Sequence, residues 1–402
     1  MIAKVDATAF LVIVLVAAAS AVIVAMFARR LVVPVVVVEL VLGIIVGPQV
    51  LDLAQVDGFT TFFSNLGLGM LFFFAGYEID FQRIRGLPVR LGGLGWIASL
   101  LVAHAFAVVL WAAGMIDAPV YVACAMSTTA IGTLLPILRD AGELRTPFGT
   151  FLLAAGAIGE FGPIVLMTIF LSTDQPLRET AILLAFAALA VVAGVLAIRS
   201  AGRGWPALER TLHASSQLAV RLAVLLVIAL VALAYELGLD LLLGGFMAGL
   251  IFRQAVGDHE VEVLESKLTA IGYGFLIPFF FVVSGMKFDL DALLGSVTAL
   301  VELPLFVLLF LVVRGGPVMV LYRNQLDQRA RRALALFSSA QLPLVVAITA
   351  IAVDVGKMDA ATASALVGAG ILSTLIFPLL ALRLRGDRPG APAPAEPLPA
   401  TA

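Results

Sequence analysis

Residues 118–140 read APVYVACAMSTTAIGTLLPILRD, and residues 335–353 read ALFSSAQLPLVVAITAIAV. Both are apolar enough for helices in a greasy environment, and both are interrupted midway. The first carries Ser127, Thr128, Thr129 and Gly132; the second carries Ser338, Ser339, Gln341 and Pro343. Hydroxyl side chains compete with a helix's own backbone bonds, and proline removes one outright. Either stretch alone is explained by hydroxyls that bond back to their own helix. The pair, in the setting described next, predicts two helices that unwind halfway.

That setting is a membrane. Of 402 residues, 62% are hydrophobic and only 13% are charged, with a formal net charge of −2. Mean hydropathy is +1.10. A soluble domain carries about 25% charged residues, so the solvent for this much apolar surface is a bilayer. Hydropathy places spans near 6–28, 31–46, 58–76, 90–114, 118–138, 147–171, 177–198, 215–236, 239–256, 268–284, 292–322, 330–353 and 361–383, about thirteen in all. The first run is too long for the apolar part of a signal peptide and ends at Arg29-Arg30, so it is expected to stay as a helix. Residues 386–402 are Pro/Ala-rich, with little to bury, and are expected to form a disordered cytoplasmic tail. Residues 1–385 then form one transmembrane domain.

Arginines and lysines cluster after the odd-numbered spans, from Arg29 and Arg30 through Arg83 and Arg85 to Arg323, Arg329, Arg331 and Arg332. The other side has Lys4, Arg178, Lys287 and Lys357. The positive-inside rule therefore puts the N-terminus outside and the C-terminus in the cytoplasm. In this count the interrupted stretches are the fifth and twelfth spans, so they cross the bilayer in opposite directions. Paired interruptions in oppositely oriented halves are the signature of an inverted-repeat transporter with crossed, discontinuous helices.

Few charges lie at depth. Glu160, in GAIGEFGPIVLM (156–167), sits roughly 20 Å from the start of its helix at 1.5 Å per residue. Arg314, in LFVLLFLVVRGGPVMVLY (305–322), is similarly central, and Glu39 lies in VPVVVVELVLGIIVGP (33–48). An intramembrane charge faces the protein interior and has a partner. Glu160 and Arg314 are read either as a structural ion pair or as an exchange site. In the second reading the carboxylate takes a proton or a cation in turn, and Arg314 competes for it. Arginine does not release its proton, so the carboxylate must carry any proton that moves. Gly156, Gly159 and Gly162 give this helix a face where another element can approach closely, and Pro163 frees a carbonyl near Gly159. Glu39 is read as structural, with tuning of the site as the alternative.

Several segments resemble the monovalent cation:proton antiporter superfamily, in the branch with bacterial sodium/proton and glutathione-gated potassium-efflux antiporters. They are VVELVLGIIVGPQVL (37–51), LFFFAGYEIDFQRIR (71–85), LGGFMAGLIF (243–252), GFLIPFFFVVSGMKFDL (274–290) and the Ser127–Thr129 segment. The resemblance implies a fold of thirteen helices, with a dimerisation or panel domain beside a core that holds the crossed helices and moves like an elevator. It implies a homodimer. It puts the ion-binding acid at Glu160, the basic residue at Arg314, the first crossover at Ser127, Thr128 and Thr129, and the second at Ser338, Ser339 and Gln341. The family usually has aspartate at the acid position, preceded by Asp, Asn or Gln; here the pair is Gly159-Glu160. One carboxylate with an arginine points to electroneutral exchange.

Other classes find little support. Cys124 is the lone cysteine, which excludes an internal disulfide and a Cys-built metal site. His104 has no second ligand at metal spacing and is read as a packed histidine. Glu78 and Asp80 are read as a solvated cluster beside Arg83 and Arg85, and Glu236 and Asp240 as helix caps. No basic stripe suggests nucleic acid, and no catalytic or nucleotide motif suggests an enzyme. No cofactor or transition metal is expected. The sequence is thus read as an all-α polytopic transporter of the inner membrane that exchanges Na⁺ or K⁺ for protons. Glu160 binds the ion or the proton, and Ser127, Thr128 and Thr129 add oxygens. The rival readings are an organic-anion symporter or exporter that uses Arg314, and a sensor that no longer transports.

Overall fold

The computed structural model describes residues 7–27, 34–77, 84–144, 146–167, 217–237, 241–255 and 261–386, with residues 185, 188 and 192. Most of the expected span 177–198, the acids Glu78, Asp80 and Asp240, and the segment 387–402 lie outside the described residues.

Among the described residues the regular structure is helical. In chain order the helices are α1 (Ala7–Phe27), α2 (Val35–Val46), α3 (Gly58–Tyr77), α4 (Leu87–Ala112), α5 (Pro119–Met126), α6 (Ile131–Asp140), α7 (Pro147–Leu166) and α8 (Leu218–Glu236). They continue as α9 (Leu241–Ala255), α10 (Val261–Ile271), α11 (Ile277–Met286), α12 (Leu290–Gly295), α13 (Val297–Phe310), α14 (Gly316–Leu321), α15 (Gln328–Ser338), α16 (Pro343–Asp354) and α17 (Ala360–Arg385). Counted with their kinks and breaks, eight helical stretches among the described residues are long and apolar enough to cross a membrane, and four more apolar helices there are shorter.

Local chemistry sets the boundaries. Pro34 has no amide hydrogen and sits in extended conformation before α2, so that helix begins at Val35 rather than near residue 31. The expected helix 292–322 is divided at Ser296, whose extended backbone ends α12 and whose hydroxyl accepts from the Ala299 amide at the start of α13. Asp327 and Asp359 cap α15 and α17 in the same way. The tenth span starts earlier than expected, at Val261, and a π-helical turn at Gly272–Leu276 joins α10 to α11. A second π turn, Leu311–Gly315, joins α13 to α14 and carries Arg314.

Packing separates the helices into two groups. In the first, α3 lies on α9 and α11, α2 on α11, and α8 on α9. Backbones touch here. A Cβ at Gly76 would run into the Phe246 carbonyl, and one at Gly249 would meet that of Phe73. Small residues at such crossings maximise van der Waals contact where lipid supplies no hydrophobic drive. In the second group, α4 packs on α7, α13 and α15 pack on α17, and α5 meets α16. The groups touch where Phe161 of α7 stacks on Phe246 of α9, with ring centroids 5.0 Å apart, and where the Tyr273 hydroxyl donates to the Gly132 carbonyl. A cavity of about 490 Å³ lies between α3 and α11 on one side and α16 and α17 on the other. Asp289, Asp354 and Lys287 are among its lining residues, with Ser64, Ser284, Thr349 and Ser364.

Candidate ion-exchange site

Both interrupted stretches break where the hydroxyls stand. The first helix stops at Met126 and resumes at Ile131; the second stops at Ser338 and resumes at Pro343. The breaks meet. The Ala130 amide donates to the Ala340 carbonyl at 2.8 Å, and the Thr129 hydroxyl donates to the Ser338 carbonyl at 2.6 Å. The Gln341 side-chain amide donates to the Met126 carbonyl at 2.9 Å. Each helix end leaves carbonyls without intrahelical partners, and here the opposite break satisfies them. Ser373 of α17 steadies the second break, accepting from the Gln341 amide at 3.1 Å and donating to its carbonyl at 3.2 Å.

The hydroxyls divide by role. Ser127 and Thr128 donate to the carbonyls of Cys124 and Ala125, each at 2.9 Å, and Ser339 donates to that of Ala335 at 2.7 Å. These are bonds within their own helix. Thr129 instead reaches across the crossing. All four residues are buried.

Glu160 is 1% exposed and lies on α7 beside this crossing. The residue before it, Gly159, accepts the Thr129 amide at 3.1 Å. The guanidinium of Arg314 sits against Gly159. A Cβ there would lie 2.5 Å from Nη2 of Arg314 and 2.9 Å from Oγ1 of Thr129. Gly159 has no side chain before the acid, and the guanidinium fills that space. Its neighbours on the glycine face are apolar: Gly156 faces Ile131 and Gly162 faces the Trp96 ring.

Arg314 is 3% exposed and donates to acceptors from four elements. Nε donates to Thr129 Oγ1 at 2.9 Å and to the Ser338 carbonyl at 3.4 Å; Nη1 donates to Ser99 Oγ at 3.3 Å, and Nη2 to the Ala155 carbonyl at 3.2 Å. The arginine thus ties both breaks to α4 and α7 and places a fixed positive charge at the C-terminal end of α15, where a helix favours it. In a straight α-helix the register of Arg314 would differ; the π turn adds one residue to the turn and re-aims it.

Glu39 is buried in the first helix group, with Ser20 of α1 as its hydrogen-bonding neighbour. His104 Nδ1 bonds the Leu100 carbonyl at 2.8 Å, within its own helix. Sequence reading passed over Glu302. This acid of α13 is 1% exposed and faces Asp359, Thr362 and Asp117. Its signal was visible as a lone charge in the apolar run TALVELPLF (298–306).

A family profile described as sodium/hydrogen exchanger, transmembrane, matches residues 16–382. The putative Na⁺/H⁺ antiporter YjbQ of Bacillus subtilis is 28% identical over 371 residues, which are 87% of this chain and 59% of that protein. The chain therefore spans well under two thirds of that relative's length. The Na⁺/H⁺-K⁺ antiporter GerN of Bacillus cereus is 26% identical over 87% of this chain and 89% of its own length. The solved sodium proton antiporter MjNhaP1 of Methanocaldococcus jannaschii superposes with a TM-score of 0.61 at 16% identity, covering 95% of this chain and 99% of that one. A multi-pass helical fold, two broken helices bonded to each other and a family match over most of the length lead to one conclusion: the chain belongs to the transmembrane sodium/hydrogen exchanger family.

Proposed function

We propose that the protein is a secondary transporter that exchanges a monovalent cation, Na⁺ or K⁺, for protons across a cell's plasma membrane, one for one. The observation that carries this reading is Glu160, a buried carboxylate one residue from the backbone to which the first break is bonded. A carboxylate there binds a cation when ionised and a proton when neutral, and it cannot hold both. Cation and proton thereby compete for a single negative charge, and competition at one site is sufficient for exchange.

Arg314 supplies a permanent positive charge to the same crossing. With one ionisable acid beside it, a filled site gains one charge from either ligand, which is the basis for electroneutral cycling. An alkali ion needs several oxygen ligands, so hydroxyls and carbonyls of the breaks, among them Ser127, Thr128 and Thr129, complete its shell. The cavity between the two helix groups, with Asp289, Asp354 and Lys287 in its lining, reaches α16, the second half of the twelfth span.

The architecture proposed for this cycle has thirteen spans with the seventh near 177–198, inverted repeats that meet at the crossing, the N-terminus outside and the C-terminus in the cytoplasm. The first helix group is the panel and dimer face, and the second moves against it. Residues 1–385 constitute the exchanger domain.

The test is Glu160→Gln in proteoliposomes with an imposed Na⁺ or K⁺ gradient. The amide keeps the shape and loses both the charge and the exchangeable proton. Cation-driven proton movement is expected to fall to background, with the melting temperature kept. A variant that exchanges at the wild-type rate removes Glu160 from the cycle.

A further inference from the structure

Three buried oxygens at the second break have no hydrogen-bond partner among the described residues: Ser338 Oγ, Gln341 Oε1 and Thr374 Oγ1. Their residues are completely buried. The backbone brings their residues to the same break. Ser338 and Gln341 flank the break between α15 and α16. Thr374 follows Ser373, which holds both backbone groups of Gln341. It also lies one turn beyond Gly370, whose missing Cβ would stand 2.7 Å from the Gln341 carbonyl. Residues four apart share a helix face, so the face of α17 that packs on the break carries Thr374.

Burying a polar atom without a partner is destabilising, and an apolar residue of the same shape avoids the penalty. Three such atoms together call for an occupant that satisfies them. Its chemistry follows from theirs. An amide oxygen only accepts, and each hydroxyl oxygen offers lone pairs besides its proton, so all three can be turned together on an electron-poor occupant. The Gln341 amide nitrogen is already committed to the Met126 carbonyl, which leaves the oxygen as the free end. Neutral hydroxyl and carbonyl oxygens are the ligands an alkali ion accepts in exchange for its water.

We propose that Ser338 Oγ, Gln341 Oε1 and Thr374 Oγ1 add neutral oxygens to the cation site beside those of the first break, with Thr374 a ligand contributed from outside the two broken helices. This deepens the exchange reading and rests on it. Arg314 already places a positive charge on the Ser338 carbonyl. These oxygens therefore hold a cation only while Glu160 is ionised, and protonation of Glu160 releases it. Selection between Na⁺ and K⁺ then depends on how far α17 stands from the break.

The experiment uses Thr374→Val, which replaces the hydroxyl by a methyl of the same shape, on the full chain in detergent and in proteoliposomes. Melting is followed at constant ionic strength in choline chloride, NaCl and KCl at alkaline pH. A bound cation stabilises the folded state by mass action. The wild type is expected to melt higher in NaCl or KCl than in choline. Thr374→Val is expected to melt at or above the wild type in choline, to lose most of the cation-dependent shift, and to show an apparent KM for the cation raised roughly tenfold with kcat retained. Thr374→Ser keeps the oxygen and is expected to keep the shift; Ser338→Ala provides the same reading if the valine variant does not fold. A valine variant that melts lower in choline with its cation shift intact overturns the proposal, because the hydroxyl is then a packing or water-bound group. So does a wild type whose melting ignores Na⁺ and K⁺. A wild type that shows the shift but no exchange counts against the transport reading and leaves this site standing.

Discussion

The α3–α9 contact and the crossing of the two breaks are both places where backbone meets backbone, yet they are built by opposite means. At α3–α9 the helices are continuous and glycine lets carbonyls touch the neighbouring chain. No side-chain polarity is needed, because each helix satisfies its own backbone. At the crossing the helices are broken, and freed carbonyls are satisfied by Thr129, Gln341 and Arg314 from across the gap. The first kind of contact tolerates no rearrangement short of separation. The second is a set of individual side-chain bonds across the gap. The exchange cycle proposed above benefits from keeping the two apart.

Arg314→Ala is the severest way to break that contrast. It withdraws donors from Thr129, Ser99, Ser338 and Ala155 at once. The expected loss is at least about 3 kcal/mol, because several neutral acceptors each lose a hydrogen bond to a charged group worth about 1.5–3 kcal/mol, with exchange abolished; denaturant titration in detergent measures it. Wild-type stability in this variant would show that the breaks hold without the arginine.

Gly249→Val tests the other region. Overpacking a tight contact costs about 1–3 kcal/mol, and the cost should appear in thermal melting alone. The pH dependence of residual exchange is expected to match the wild type's, since no polar group moves. A shifted profile would mean the two regions are coupled.

Gly159→Ala is the gentlest and the most informative, with an expected stability change of about 1 kcal/mol. The methyl displaces the Arg314 guanidinium and presses on Thr129, two side chains rather than backbone, so the bond from Nη2 to Ala155 is lost while the fold persists. The pH profile of exchange is expected to move. Combined with Arg314→Lys, whose compact ammonium lacks the planar fork, the two losses should be less than additive. Strict additivity would show that residue 159 and Arg314 act independently.

Much of this site was legible in the chain. Hydroxyls and a proline inside apolar runs mark helices that cannot satisfy themselves, and both breaks fall on the residues that carry the mark, Ser127–Thr129 and Ser338–Gln341. Glu160 and Arg314 were legible because a charge in hydrocarbon is costly enough to need a reason. Glu302 was equally visible and was overlooked beside the more central charges. The division at Ser296 was missed because hydropathy does not register a capping hydroxyl inside an apolar run.

Partners were not legible. Composition alone does not reveal that Thr129 reaches across while Ser127 and Thr128 bond backward, since all three hydroxyls are equivalent in the sequence. Nor does it reveal that Gly159 makes room for a guanidinium more than 150 positions away, or that Ser373 holds the second break. Sequence by itself determined the bilayer, the approximate spans and the two points of interruption, because these follow from transfer free energies and backbone bonding that each segment carries alone. Tertiary structure decided which carbonyl each donor finds and which oxygens are left over. Those outcomes depend on distances between segments remote in the chain, and no local property encodes them.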